Sequence, residues 1–382
     1  MIAGTVLTAT PIFGAGASVG PKVQQQEDIP QSPFSTKAYG TTDAQSPLKP
    51  MTIERRAVGE HDVLIGIEYC GICHSDIHTA RDEWKDIGMP TLYPAVLGHE
   101  VIGKVIAVGS KVTKFKVGDA AGVGCMVDAC LGCENCEDDR EQNCKDVAFI
   151  YNSPDKISGG HTYGGYSDKI VVKEHFAIRI PPGVDHAAMA PLLCAGITTF
   201  SPIRHWDVSK NQKVGVIGLG GLGHIAVKMA VAHKAEVTVF TTTPDKIADA
   251  KRMGAKDTVL WSDEQKMQEL NGYFDFMIST VPKAYPMQAF VNLLKLDATL
   301  VNVGAMEDIQ GVSGLGLVFG RKNISGSLIG GIAETQEVID FCAARGIKAD
   351  IELIDAKDIN TAYDNVVDKK VRYRYVIDMK TL

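Results

Sequence analysis

The chain has 382 residues, too many for one comfortable core, and suggests two domains. With 45% hydrophobic and 22% charged residues, its composition is that of an ordinary globular protein. A formal net charge of −7 argues against a nucleic-acid binder, which would carry a basic face.

The first twenty residues, "MIAGTVLTATPIFGAGASVG", carry no charged side chain and close on small residues, including Ala15-Gly16-Ala17. Two readings stand: a flexible extension, or the remnant of a secretory signal lacking its basic start. Pro11 and the many Gly, Ala and Thr residues argue against a membrane span. Residues 21–35 are polar and proline-containing and read as linker, which sets residues 1–35 apart as an extension.

From residue 36 short strands with glycine corners are expected. "DVLIGIEYCG" (62–71), "VIGKVIAVG" (101–109) and "YSDKIVVKEHFAIRIP" (166–181) read as strands. Near residue 186 the texture changes, and "HAAMAPLLCAGITTFSPI" is helix-biased. Residues 213–243 then read strand, glycine turn, helix, strand. "DFMIST" (275–280), "AFVNLLK" (289–295) and "ATLVNVG" (298–304) continue the alternation. Alternating strands and helices imply a parallel sheet covered on both faces. A helix ("ETQEVIDFCAARG") and a closing strand ("RYRYVIDMK") follow, so a β-rich domain is expected to be split around an inserted α/β domain.

Gly218-x-Gly220-x-x-Gly223 follows an apolar strand and opens an amphipathic helix, the context that makes a glycine motif informative. Gly218 permits the tight turn, Gly220 admits a pyrophosphate, and Gly223 lets helix and strand pack closely. The helix N-terminus supplies N–H donors for phosphate. The next strand ends in Thr241, Thr242 and Thr243, where an NAD site usually carries a carboxylate. Hydroxyls can donate to a 2′-phosphate and Lys246 can neutralise it, so NADP(H) is expected over NAD(H). The competing reading has Asp245 swinging back to the ribose.

Nine cysteines, an odd count, fit metal binding in a reducing compartment better than a disulfide framework. Cys130, Cys133, Cys136 and Cys144 follow C-x2-C-x2-C-x7-C spacing. Four thiolates close a tetrahedral shell, so a zinc held there is structural; an iron–sulfur cluster is the chemical alternative. Cys70, Cys125 and Cys342 read as ordinary buried thiols. A catalytic zinc needs three protein ligands and an open position. The segments available are "GICHSDIH" (71–78), "LGHEVIGKV" (97–105) and "PLLCAGIT" (191–198).

The "GHE" turn with its following Gly103, the cysteine lobe and "GLGGLG" occur in an order that resembles the zinc-dependent alcohol dehydrogenases of the medium-chain dehydrogenase/reductase family. "GICHSDIH", "YGGYSDKIVV", "TTTPDK" and "VRYRYVID" are similar to its cinnamyl alcohol dehydrogenase-like branch. The resemblance implies a GroES-like β-rich catalytic domain over residues 36–191 and 330–382, with the structural zinc lobe at 125–145. It implies a Rossmann domain, a doubly wound parallel sheet, over residues 192–329. It also implies Cys73, His99 and Cys194 as catalytic zinc ligands, with Glu100 as a transient or alternative one. Asp76 then orients His99, Ser75 bridges substrate oxygen and cofactor ribose, and His78 ends a proton relay. His74 contacts cofactor phosphates or packs, and Leu219, Gly221, Leu222, Thr198 and Val303 complete the cofactor site.

The activity so implied is alcohol dehydrogenase or aldehyde reductase, with two Zn2+ per chain and NADP(H). Candidates for the apolar pocket walls are Trp84, Phe149, Leu328 and Ile329. Plant members of the branch often carry Trp where Phe149 stands, so broad action on aromatic and medium aliphatic substrates is expected rather than strict cinnamyl specificity. The alternatives are an NAD-dependent enzyme of the same fold and a non-catalytic NADPH-binding protein. A zinc-free quinone reductase-like enzyme would lack both the cysteine lobe and the "CHSD" turn. Members of the branch resemble homodimers joined edge to edge, here through strands near 300–304 and 313–319. No nucleic-acid or membrane partner is expected. Thiols that need metal before oxidation favour a cytoplasmic location, with a periplasmic or exported one as the alternative from the signal-like start.

Overall fold

A computed structural model describes Met1 and residues 29–304, 307–308 and 311–382. The expectation for residues 2–28 lies outside the described residues. The end of the expected extension is ordered: a strand begins at Phe34 and runs to Gly40, pairing antiparallel with Lys49–Arg55. Ile29 and Phe34 pack on a small cluster of Val58, Leu64, Ala107 and Val171. The Val58 N–H donates to the Pro30 carbonyl at 3.0 Å. Apolar contact there outweighs the loop-like composition of residues 29–35.

The β-rich part is built on a seven-stranded sheet. Its centre is Asp62–Gly71, buried along most of its length, paired antiparallel with Val101–Val108, Lys169–Lys173 and Arg374–Asp378. The last of these strands, with its parallel neighbour Ile351–Asp355, comes from the C-terminal end of the chain. The expected strand at 166–181 is two strands, because a 3-10 turn at Glu174–Phe176 separates Lys169–Lys173 from Ala177–Arg179.

The second sheet is wholly parallel and holds six strands. In spatial order they are Asp257–Leu260, Glu236–Thr241, Lys213–Ile217, Phe274–Ser279, Leu294–Asn302 and Asn323–Gly326. Counted along the chain, that order is 3-2-1-4-5-6, which reverses between Lys213–Ile217 and Phe274–Ser279 and opens a crevice at the carboxyl ends of those strands. Gly218 lies there at φ +91°, where an added Cβ would meet Thr280 Oγ1 at 3.0 Å.

Residues 313–319, expected as an edge strand, form a helix instead, Gly314–Gly320. Ser313 caps it by accepting from the Gly316 N–H, so the Gly/Leu alternation never pairs as a strand. The sheet edge is Asn323–Gly326, which covers the strand containing residues 300–302. Among the described residues, no single helix is long and apolar enough to cross a membrane.

Candidate active site and metal centres

Cys73 is the N-cap of the helix His74–Ala80. Asp76, three residues on, returns its Oδ2 to the Cys73 N–H at 2.8 Å and closes a capping box. The same carboxylate is fully buried and works in three further directions. Oδ1 accepts from His99 Nδ1 at 2.9 Å and from the Gly98 N–H at 3.1 Å, and Oδ2 accepts from the Tyr166 hydroxyl at 3.1 Å. With Nδ1 committed, His99 presents Nε2 to the cluster. Gly98 sits at φ +94°, where a Cβ would strike Tyr166 and Cys70, so only glycine allows the turn that delivers His99. Cys194 breaks the apolar run between a 3-10 turn, Ala190–Leu193, and the helix Ala195–His205.

These segments bring the ligand atoms of Cys73, His99, Glu100 and Cys194 within 4.8 Å of one another, all buried. Cys194, with Arg374 nearby, outweighs burial and holds the Cys73 thiol well below its ordinary value. Burial opposes the charged form of His99, and Asp76 outweighs it to raise the imidazole well above its usual range. Burial pushes the Glu100 carboxyl up to about 7 against the pull of Arg374. Its Oε2 is buried without a hydrogen-bond partner, as expected of an atom awaiting a cation. Two thiols and an imidazole so placed fit a zinc ion with one position open.

In the lobe, Cys130, Cys133, Cys136 and Cys144 also converge within 4.8 Å. Three of the S–S separations are 3.4, 3.6 and 3.9 Å, and all four thiols are free. Tetrahedral Zn–S bonds place sulfurs about 3.8 Å apart, so the set fits one ion. Glu141 fastens this lobe to the rest of the molecule: it accepts from His175 Nε2 at 2.8 Å and from the Ile332 N–H at 3.0 Å. Burial works to raise its carboxyl, and these donors outweigh it and hold it low.

Ser75 Oγ lies 3.7 Å from Cys73 Sγ. One helical turn on, His78 Nδ1 lies 2.5 Å from Glu83 Oε2, and the His78 ring stacks on Trp84 and neighbours His74. Burial and His78 lower the His74 imidazole. Phe149 pairs with Met126, while Leu328 is half exposed and Ile329 joins the large core cluster. Three neighbours of the cluster escaped the sequence reading. The Tyr151 hydroxyl stands 3.1 Å from His99 Nδ1. Cys125, expected as an ordinary buried thiol, is only partly buried and interacts with Cys194. The Arg374 guanidinium donates to Glu100 Oε1 and also lies against Gly221 of the glycine turn.

At that turn a Cβ on Gly223 would strike the Gly218 carbonyl at 2.1 Å, which shows how closely helix and strand approach. A Cβ on Gly220 would meet nothing within 4 Å, so the loop leaves room for a phosphate group. Leu219 and Leu222 flank it, and Lys246 Nζ donates to the Leu219 carbonyl at 2.8 Å. Thr241 is buried, Thr242 is exposed and Thr243 lies between, so the expected phosphate hydroxyls sit at the rim of the crevice. Thr198, on the helix after Cys194, is buried, and the Val303 N–H donates to the Ser279 carbonyl.

Through Arg374, the cysteine–histidine cluster and the nucleotide turn form one site, that of a metal-dependent dinucleotide dehydrogenase. Residues 59–182 match the alcohol dehydrogenase GroES-like domain and residues 221–344 the zinc-binding dehydrogenase family. The chain is 49% identical over 350 residues to an NADP-dependent alcohol dehydrogenase of Mycolicibacterium smegmatis, covering 91% of this chain and 99% of the other. It is 48% identical to an aldehyde reductase of Escherichia coli, again over 91% and 99%. A cinnamyl alcohol dehydrogenase from Sorghum bicolor superposes with TM-score 0.87 at 37% identity, over 91% of this chain and 98% of that one. The chain belongs to the zinc-dependent alcohol dehydrogenases of the medium-chain dehydrogenase/reductase family, in the cinnamyl alcohol dehydrogenase-like branch.

Proposed function

We infer that the protein interconverts primary alcohols and aldehydes, aromatic and medium aliphatic, with NADP(H) as its preferred hydride partner. The observation that carries this reading is the convergence of Cys73, His99 and Cys194, joined through Glu100 and Arg374 to the glycine turn. When bound, zinc supplies Lewis-acid polarisation of the substrate oxygen and the nicotinamide supplies or accepts hydride.

The chain's own residues do the rest. Cys73, His99 and Cys194 hold the ion, Asp76 fixes the His99 ring, and Glu100 stands ready as an alternative ligand. Ser75 exchanges a proton with the substrate oxygen and passes it towards His78, whose Nδ1 is met by Glu83 at the protein surface. Trp84, Phe149 and Ile329 exclude water from the pocket; Leu328, half exposed, stands at its mouth. Gly218, Gly220, Gly221 and Gly223 with Leu219 and Leu222 receive the pyrophosphate. Thr242, Thr243 and Lys246 receive the 2′-phosphate, and His74, Thr198 and Val303 line the remainder of the cofactor.

A second zinc in the cysteine lobe is structural, since four thiolates leave no open position. A homodimer forms across the sheet edge Asn323–Gly326, where Leu296, Leu315, Val318, Phe319 and Ile324 are exposed. The reducing cytoplasm is the compartment that suits nine free cysteines. Turnover of benzaldehyde, cinnamaldehyde and short aliphatic aldehydes with NADPH and with NADH tests the reading. Reduction of aromatic and aliphatic aldehydes with NADPH preferred supports it, and a strong NADH preference or no turnover of any aldehyde contradicts it.

A further inference from the structure

Asp245 is the only carboxylate in the segment 241–246 that closes the second parallel strand. A free carboxylate here accepts from a ribose 2′-OH and repels a 2′-phosphate. In this molecule Asp245 is not free. Arg372 Nη2 donates to Asp245 Oδ2 at 2.5 Å, from 127 residues further along the chain. Arg372 Nε is 3.7 Å from Asp249 Oδ2, and the Tyr373 hydroxyl donates to that oxygen at 2.6 Å. The Arg372 backbone N–H donates to Glu352 Oε1 at 3.1 Å, which ties the main chain at Arg372 to the β-rich sheet. Thus one sheet reaches across and clasps the loop on which the other discriminates its cofactor.

The placement suits that task. The Arg372 side chain is 33% exposed and that of Asp245 60%, so the pair lies at the surface beside the strand end assigned to the 2′-phosphate. Next to it Lys246 is buried, tied to the Leu219 carbonyl of the glycine turn, and held in place. With Arg372 present, Asp245 and Asp249 lie among cations that include Arg372 and Lys246. Arg252 also pairs with Asp249, at 3.2 Å. With Arg372 removed, an unpaired Asp245 stands two residues from Thr243.

We propose that Arg372 is a positioning residue for cofactor choice: it cancels Asp245 and holds it off the ribose, so that a 2′-phosphate meets Lys246 and the threonine hydroxyls unopposed. The inference rests on the assignment of that strand end to the 2′-phosphate. It explains how a loop with an acid two residues past its threonines serves NADP(H).

The test is the ratio of kcat/KM with NADPH to kcat/KM with NADH, measured on one aldehyde for Arg372→Ala, Asp245→Asn, their double variant and Lys246→Gln. Arg372→Ala lowers the ratio about tenfold, as loss of a charge-assisted contact predicts. The double variant recovers most of that loss, because the acid that Arg372 masks is gone. Asp245→Asn alters an exposed side chain, does not lower the ratio, and carries the test if Arg372→Ala fails to fold. A loss shared equally by both cofactors would mark a merely structural contact and overturn the proposal. So would a double variant no better than Arg372→Ala, or a fall in the ratio with Asp245→Asn. If Lys246→Gln lowers the ratio and Arg372→Ala does not, the clasp is wrong and the phosphate site stands; if neither moves it, both fall.

Discussion

Arg374 donates to Glu100 Oε1 behind the cysteine–histidine cluster, and both side chains are buried. Glu100 Oε2 and Arg374 Nε remain without hydrogen-bond partners. A pair buried this deeply is bound together by the cost of leaving either charge alone. Arg374→Met therefore destabilises the protein, because a buried ion pair is broken and Glu100 must take up a proton to stay buried. Arg374→Met with Glu100→Gln recovers much of that loss. Urea denaturation of the two variants checks it.

The two metal centres we propose separate by their effects. Cys73→Ser removes one zinc per chain and all turnover, and leaves the fold intact, because the helix and its Asp76 capping box persist. Cys130→Ser removes the other zinc and lowers Tm, since the lobe is held by its four sulfurs and by Glu141. Zinc content and Tm of both variants are the readouts. One zinc or less in the carefully prepared parent contradicts the two-site arrangement.

His224 makes stability depend on pH. Burial, with Lys228 and Arg374 nearby, lowers its imidazole from 6.5 to about 3. Its Nδ1 donates to the Gly220 carbonyl and its Nε2 accepts from the Asp350 N–H, so the folded state holds it neutral. The folded chain refuses a proton that the unfolded chain takes. Stability is therefore full above about pH 6.5 and falls as the pH drops towards 3, by about 2 kcal/mol at pH 5. His224→Gln removes this dependence. The measurement is unfolding free energy at pH 7 and pH 5, and the parent loses about 2 kcal/mol more than the variant.

The relay predicts graded losses. Ser75→Ala lowers kcat by about 100-fold or more, the scale of a positioned proton-transfer group. His78→Ala lowers it less, since water replaces the outer group. Equal and small effects on kcat in both variants would remove the relay.

The four lobe cysteines declare themselves by spacing alone, whereas Cys73, His99 and Cys194 stand out only through the family resemblance. The fold brings each set within 4.8 Å, Cys73 by a capping turn shared with Asp76 and His99 by a glycine at positive φ. The split β-rich domain and the parallel sheet were legible from the change of texture near residue 186. Tyr151, Glu83, Cys125 and Glu141 were not, because each gains its role from a neighbour brought up by the fold. Arg372 and Arg374 lie in a quoted motif, yet their partners are 127 and 274 residues away. The strand expected at 313–319 rested on the resemblance to edge-to-edge dimers; the chain instead forms the helix Gly314–Gly320, capped by Ser313.

The most direct test is the initial rate of NADPH oxidation with benzaldehyde by the parent and by a folded Cys73→Ser variant. The parent turns over and the variant does not. A parent without activity, or a variant that keeps it, would contradict catalysis at the Cys73–His99–Cys194 centre.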